Sequence, residues 1–148
     1  MTVEIEPPRQ PEVEALLRAG ERFAEGLYPA EENFILPLEP LEKPGVTVFV
    51  ARVDGVARGM AALVIGDGGA ELKRMFVDES ARGLGLAHSL LDALEQHARM
   101  LGVAVIRLET GDRSHAALAL YAKRGFVVIP RFGEYVDSAS SVCMELAL

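Results

Sequence analysis

The sequence predicts a mixed α/β (α+β) fold, with one mixed and mostly antiparallel sheet of about six to seven strands and helices on both faces. The first half carries a β-hairpin signal, Asp54-Gly55, between two runs rich in β-branched residues. The second half alternates strand patterns with helical patterns. The length of 148 residues, with 50% hydrophobic content, fits a single domain spanning residues 1–148.

The N-terminal segment is predicted to contain a short strand, a helix and an irregular stretch. The strand covers residues 3–5, and the helix begins at Pro11, since proline is tolerated in the first helical turn. Prolines break residues 28–44 into a short helix between loops. Four apolar residues have helical spacing and are expected to face the core: Val13, Leu16, Leu17 and Phe23.

An antiparallel meander is predicted next, with strands at residues 46–52, 56–65 and 70–77. Asp54-Gly55 and the glycine-rich residues 66–69 supply its two turns.

After the meander, the hydrophobic period changes from that of a strand to that of a helix. Six residues have helical spacing: Ala87, Leu90, Leu91, Leu94, Ala98 and Leu101. Gly102 ends this helix, and a strand at residues 103–109 follows. Ser114 is expected to cap a second helix that ends before Gly125. Strands at residues 126–129 and 142–146 complete the sheet.

The junction between the third meander strand and the following helix is the most informative part of the chain. It contains Arg82, Gly83, Gly85 and Ala87. The first turn of a helix has N–H groups without intrahelical partners, and small residues let a phosphate approach them. The junction therefore predicts a diphosphate seat for a nucleotide-like cofactor, although on its own it also fits a tight strand-to-helix turn.

A dinucleotide-binding fold is a rival interpretation, because Glu109 ends the next strand as a ribose-binding acid would. However, His88 stands where the third glycine of that fingerprint is expected. A hairpin precedes the junction, and the chain is too short for a doubly wound sheet. A nicotinamide-dependent oxidoreductase is therefore less favoured than the two functions that are given at the end of this section.

Composition narrows the function classes. The net charge is −7, and residues 1–45 carry ten acidic against four basic residues, so no basic nucleic-acid-binding face is expected. This acid excess favours solubility, or else forms a rim that attracts cationic amines. With no apolar run near ~20 residues and no signal-peptide pattern at the N-terminus, a cytoplasmic location without membrane contact is expected.

Metal binding is not expected. The single Cys143 excludes an intramolecular disulfide and a multi-cysteine metal site, and it fits a buried strand position. His88, His97 and His115 have no ligand spacing.

Two motifs in order resemble the GNAT acyl-CoA N-acetyltransferase superfamily: Arg82-x-x-Gly85-x-Ala87 and Leu120-Tyr121-x-x-x-Gly125-Phe126. The resemblance covers residues 46–148. Four further segments are similar to a bacterial subgroup of small-molecule acetyltransferases: Tyr28-Pro29, Glu71-Leu72-Lys73-Arg74-Met75, Leu108-Glu109-Thr110-Gly111 and Phe132-Gly133-x-Tyr135.

The resemblance implies an acetyl-CoA site. Met75 and Val77 would hold the pantetheine arm by their main chains, and the amides of residues 83–88 would hold the diphosphate. Ser114 stands where the family usually has asparagine. The implied cofactor-binding set is Met75, Phe76, Val77, Arg82, Gly83, Leu84, Gly85, Leu86, Ala87, His88 and Ser114.

The resemblance also implies catalytic and acceptor residues. Tyr121 would protonate the departing thiolate, since a phenol pKa of ~10 exceeds that of a thiol. Glu71 would take the amine proton, with Glu109 as a second candidate. The acceptor-lining set is Tyr28, Asn33, Arg74, Glu109 and Tyr135.

The predicted activity is acetyl transfer from acetyl-CoA to a primary amine of a small molecule, such as an amino acid or a related metabolite. The amine would attack directly in a ternary complex, so no enzyme nucleophile is needed. A non-catalytic acyl-CoA-binding regulatory module is the alternative. Edge strands in a domain of this size also favour pairing, which makes a homodimer one prediction.

Overall fold

The computed structural model describes residues 1–27 and 38–148. Within these ranges the chain forms one seven-stranded sheet and four α-helices. The strands are β1 (Thr2–Ile5), β2 (Val46–Val53), β3 (Val56–Gly66), β4 (Gly69–Val77), β5 (Val105–Gly111), β6 (Val127–Ile129) and β7 (Ser141–Ala147). The helices are α1 (Pro11–Leu27), α2 (Leu38–Leu41), α3 (Leu86–Met100) and α4 (His115–Lys123).

The sheet is mixed, as predicted. Its strand order is β1-β2-β3-β4-β5-β7-β6, in which β4 and β5 are parallel and every other neighbouring pair is antiparallel. The β2–β3 hairpin turns at Asp54-Gly55, where both residues have positive φ. The predicted meander and the mixed α/β fold class are therefore confirmed.

The helices cover both faces of the sheet. Val13, Leu16 and Leu17 of α1 are buried against one face, together with Leu41 of α2. On the other face, α3 packs through four of the six residues predicted from its spacing, Leu90, Leu91, Leu94 and Ala98. Leu101 follows the last turn of the helix and is 56% exposed, and Ala87 borders a cleft. None of the helices in the two described ranges is both long and apolar enough to cross a membrane.

Two sequence predictions need correction. The strand predicted at residues 103–109 is β5, Val105–Gly111, because the turn that ends α3 extends to Val103, whose N–H donates to Ala98 O at 3.0 Å. Phe23 was predicted to be buried but is 49% exposed. The last turns of α1 border a cleft, and the Phe23 ring lies beneath the Arg82 guanidinium, 5.3 Å from its ring centroid.

The sheet opens between β4 and β5. Their parallel register covers Ala70 to Leu72 and Ile106 to Leu108. Beyond these residues β4 remains paired with β3, and β5 with β7. Adjacent strands that stop pairing leave a gap whose walls are main-chain edges, so this gap is the natural place for a ligand.

Candidate active site

A cleft of about 750 Å³ occupies the gap between β4 and β5. Its walls come from α1, the second half of β4, the end of β5, the loop before α3 and one side of α4. Five elements of the structure therefore contribute to one concave surface. Such a surface, largely apolar with a few polar groups, is typical of a small-molecule site.

At one end of the cleft, the loop before α3 presents main chain without side chains. Gly83 and Gly85 have φ of +84° and +82°, a region that glycine adopts without strain. A Cβ placed on either glycine would meet no described atom within 4 Å, so the space above them is open to a ligand. Gly85 is the N-cap of α3, and the N–H groups of the first turn lie beside this space.

The remaining predicted cofactor residues divide into two groups. Leu86 is 1% exposed in the core, so only its main chain can contact a ligand, whereas Leu84 is 59% exposed and His88 is half-buried on the first turn of α3. The other six line the cleft: Met75, Phe76, Val77, Arg82, Ala87 and Ser114.

Ser114 occupies the predicted N-cap position of α4, with Leu118 N–H donating to its carbonyl at 3.0 Å. Within the described helix, however, its side chain accepts no capping hydrogen bond. Its φ and ψ of −86° and 65° differ from the extended conformation usual for a side-chain cap.

The cleft-facing half of β4 is irregular. A β-bulge falls where Met60 and Ala62 pair with Phe76 and Lys73, and the bulged Arg74 has φ of +57°. A β-bulge bends its strand and turns the edge of the strand away from the ladder. The main chain at Met75, Phe76 and Val77 therefore borders the cleft instead of pairing with β5.

Tyr121 lines the cleft from α4 although it is only 5% exposed. Its ring packs edge-on against Phe126, with the centroids 5.6 Å apart. Burial raises the pKa of Tyr121 above its ordinary value, because a phenolate in an apolar setting is poorly solvated. The phenol therefore stays protonated across the physiological range, as a proton donor must.

Glu109 and Glu71 lie on the same face of the sheet but in different settings. Arg107 is opposite Glu71 in the β4–β5 register, and Glu109 is two residues further along β5. Glu109 lines the cleft and accepts a hydrogen bond from Ser141 Oγ at 2.6 Å. Burial raises the pKa of Glu109, and the Ser141 hydrogen bond opposes part of that shift.

Glu71 is engaged elsewhere. It accepts a hydrogen bond from the Tyr135 hydroxyl at 2.7 Å, and Lys73 Nζ lies 3.6 Å from the same carboxylate oxygen. Tyr135 is 4% exposed, and its pKa is raised by burial and by the hydrogen bond to Glu71. Neither residue is among those that border the described cleft.

Arg74 lines the cleft but also pairs with α1, with Arg74 Nη2 3.4 Å from Glu21 Oε1. Burial lowers the pKa of this guanidinium.

Tyr28 and Asn33 lie outside the described residues. Arg113 and Ser141 are not among the residues predicted from the sequence, although Arg113 lines the cleft and Ser141 contacts Glu109. The available signal for Arg113 was a basic residue two positions after the end of β5.

The histidines do not cluster. His97 packs edge-on against Phe49, with ring centroids 5.6 Å apart, whereas His115 borders the cleft. Among the described residues, no three His, Cys, Asp or Glu side chains are grouped to hold a metal ion. Cys143 is buried in β7, as predicted.

Comparisons with known proteins identify the family to which this chain is similar. Residues 11–126 match the model of the acetyltransferase (GNAT) family. An IAA acetyltransferase of Azospirillum brasilense is 39% identical over 150 residues, which cover 100% of this chain and 98% of that protein.

Solved structures are similar over the whole chain. A Klebsiella pneumoniae subsp. pneumoniae structure, described as an acyl-CoA N-acyltransferase, is 34% identical, with a TM-score of 0.84 and coverage of 99% of this chain and 97% of that one. PaiA N-acetyltransferase of Thermoplasma acidophilum, solved with coenzyme A, shares the fold at 20% identity, with a TM-score of 0.76 and full coverage of both chains. The chain thus belongs to the GNAT family and is an acetyl-CoA-dependent acetyltransferase.

Proposed function

We propose that this protein transfers the acetyl group of acetyl-CoA to a primary amine of a small molecule, by direct attack within a ternary complex. The observation that carries the proposal is the single cleft that the α3 N-terminus, the free edge of β4, Tyr121 and Glu109 all border. The 39% identical IAA acetyltransferase supports a small-molecule acceptor. An amino acid or a related metabolite remains the predicted acceptor class, and a cytoplasmic location remains a prediction.

The donor fits the glycine end of the cleft. The N–H groups of the first turn of α3 can hold its diphosphate, with the positive end of the helix dipole behind them. Arg82 lies beside this turn and lines the cleft. The pantetheine arm then follows the edge of β4 at Met75 and Val77, where the main chain has no partner from β5.

Residues that border the cleft can carry out both proton transfers of the reaction. The attacking nitrogen loses a proton, and we assign its acceptor to Glu109, because this carboxylate borders the cleft and Glu71 is held by Tyr135. As the carbon–sulfur bond breaks, Tyr121 donates a proton to the departing thiolate. Main-chain N–H groups on the edge of β4 are suited to stabilise the oxyanion that forms between these two events.

An assay of thiol release with acetyl-CoA and a panel of small amines tests the function as a whole. We expect turnover with at least one primary amine and none with the matching tertiary amine, which has no proton to lose. Acetyl-CoA binding without turnover on any amine would instead favour the alternative, a non-catalytic acyl-CoA-binding module.

Replacement of Gly85 by Asp should weaken acetyl-CoA binding by at least about tenfold, because a carboxylate at the α3 N-terminus repels the diphosphate and neutralises the helix dipole there. The measurement is the Kd by calorimetry. Gly102→Asp is the matched control, since Gly102 lies at the other end of α3 with φ of +75° and open space around it. Equal Kd values for both variants would contradict the diphosphate site.

Removal of the Tyr121 hydroxyl by Tyr121→Phe should lower kcat by about tenfold to a thousandfold, because the thiolate would leave without a proton. The Kd of acetyl-CoA should change little, since the ring remains. Tyr135→Phe is the comparison: it deletes another buried phenol, one that donates to Glu71 outside the described cleft, and should lower kcat much less than Tyr121→Phe does. Similar kcat values for wild type and Tyr121→Phe would remove Tyr121 from the acid role.

Conversion of Glu109 to Gln should lower kcat by about a hundredfold near neutral pH and by less at higher pH, where more of the amine is already deprotonated. In the wild type, kcat should fall on acidification through a pKa above the ordinary glutamate value, because burial raises the pKa of Glu109 and only its ionised form accepts a proton. A pH–rate profile of Glu109→Gln should not show this fall in kcat on acidification.

Glu71→Gln is the matched control for the base assignment. Its amide oxygen can still accept the Tyr135 hydrogen bond, so the local structure is preserved. A large kcat loss in Glu71→Gln, together with near-normal turnover in Glu109→Gln, would return the base role to Glu71.

A further inference from the structure

The helix that carries Tyr121 has a small buried face, on which Ala117, Leu118 and Leu120 pack against the core while only partly buried. Tyr121 is the one fully buried residue in α4 as described, and the other side chains of α4 are half-buried or exposed. Polar contacts near the C-terminus of α4 therefore add to this partial apolar packing in setting the tilt and rotation of the helix.

The strongest of those contacts is an ion pair to α3. Arg124 is the C-cap of α4, and its Nη2 lies 2.9 Å from Glu95 Oε2 and 2.7 Å from Asp92 Oδ1. Glu95 is only 6% exposed, whereas the Asp92 side chain is 69% exposed. The Arg124 N–H also bonds to Tyr121 O at 3.1 Å, so the anchor lies within one turn of the phenol.

A buried carboxylate in this position has a cost, because desolvation offsets much of its attraction to arginine. Leucine or methionine at position 95 would extend the apolar stripe formed by Leu91, Leu94 and Ala98 on the same helix. The charged pair instead fixes the relative position of the two groups, because the planar guanidinium holds carboxylates at a defined distance and angle. Fixing an arrangement is the best-attested use of a buried ion pair.

The ion pair joins α3 and α4, which each carry one part of the proposed site. Glu95 belongs to α3, whose first turn is the proposed diphosphate seat, and Arg124 belongs to the end of α4, which carries the proposed acid. A shift of α4 relative to α3 would move the Tyr121 hydroxyl away from the sulfur, while the proposed diphosphate seat on the first turn of α3 would stay in place. Misplacement by about 1 Å can cost a hundredfold in rate.

We propose that Arg124 is a positioning residue, whose ion pair with buried Glu95 holds α4 so that Tyr121 reaches the departing thiolate. The inference rests on the proposed acid role of Tyr121. It predicts that the pair affects the chemical step, and that donor binding and acceptor binding stay close to normal.

The first experiment compares single variants. Arg124→Lys retains the positive charge but loses the planar fork, and it should lower kcat by about tenfold or more with the Kd of acetyl-CoA within twofold of wild type. Arg99→Lys is the matched control, since Arg99 also lies beside Glu95 but at 3.9 Å and with 56% of its side chain exposed. Arg99→Lys should keep wild-type kcat, and equal losses in both variants would overturn the proposal.

The decisive experiment is a double-mutant cycle of Arg124→Lys with Tyr121→Phe. If Arg124 acts through the Tyr121 hydroxyl, its substitution should change kcat by less than about twofold once that hydroxyl is gone. A merely structural role would instead multiply the two losses, and that result would overturn the proposal while leaving the acid role intact. Full activity in Tyr121→Phe alone would overturn both, so the two failures are distinguishable.

Discussion

The active site of this acetyltransferase depends on one constraint, the short parallel register between β4 and β5. Pairing lasts from Ala70 to Leu72 on β4 and then stops, while each strand keeps its antiparallel partner on the other side. The bulge at Arg74 places a non-glycine residue at φ of +57°, which costs about 1–2 kcal/mol. The β3 ladder on both sides of the bulge and the ion pair from Arg74 to Glu21 hold this strand in place, and the cleft exists because of it.

The charge of the cleft differs from that of the protein. The chain carries −7 overall, yet the described residues that border the cleft include four Lys or Arg side chains and one carboxylate, that of Glu109. Several N-terminal acids are instead used in ion pairs, as in the contacts of Arg52 with Glu6 and Glu12. The acid excess therefore does not form the cleft wall in the described part of the chain. A basic wall suits a polyanionic donor, and Glu109 is then the one described carboxylate at the cleft that could serve the proposed amine acceptor.

Local patterns in the sequence were sufficient for most of the fold. Asp54-Gly55, the helical spacing that includes Leu94 and the glycines before α3 each act within a few residues, and all were located correctly. Contacts between distant segments were not predictable in the same way. Strand alternation predicts that Glu71 and Glu109 lie on one face of the sheet, but it does not predict the residue at which β4 and β5 stop pairing. Phe23 has the spacing of a core residue and yet lies at the cleft, because helical period does not reveal where the core ends.

The segment before β7 explains why two nearby carboxylates receive different roles in the proposed mechanism. Tyr135 donates its hydroxyl to Glu71, and Lys73 lies against the same carboxylate, so Glu71 is held by partners on two sides. Ser141 donates one hydrogen bond to Glu109 and leaves that group half-buried at the cleft. The charge of Glu71 further raises the pKa of Glu109, because a second negative charge nearby disfavours ionisation. In the proposed mechanism Glu71 is therefore a neighbouring charge that raises the pKa of the base, Glu109, although Glu71 itself does not border the described cleft.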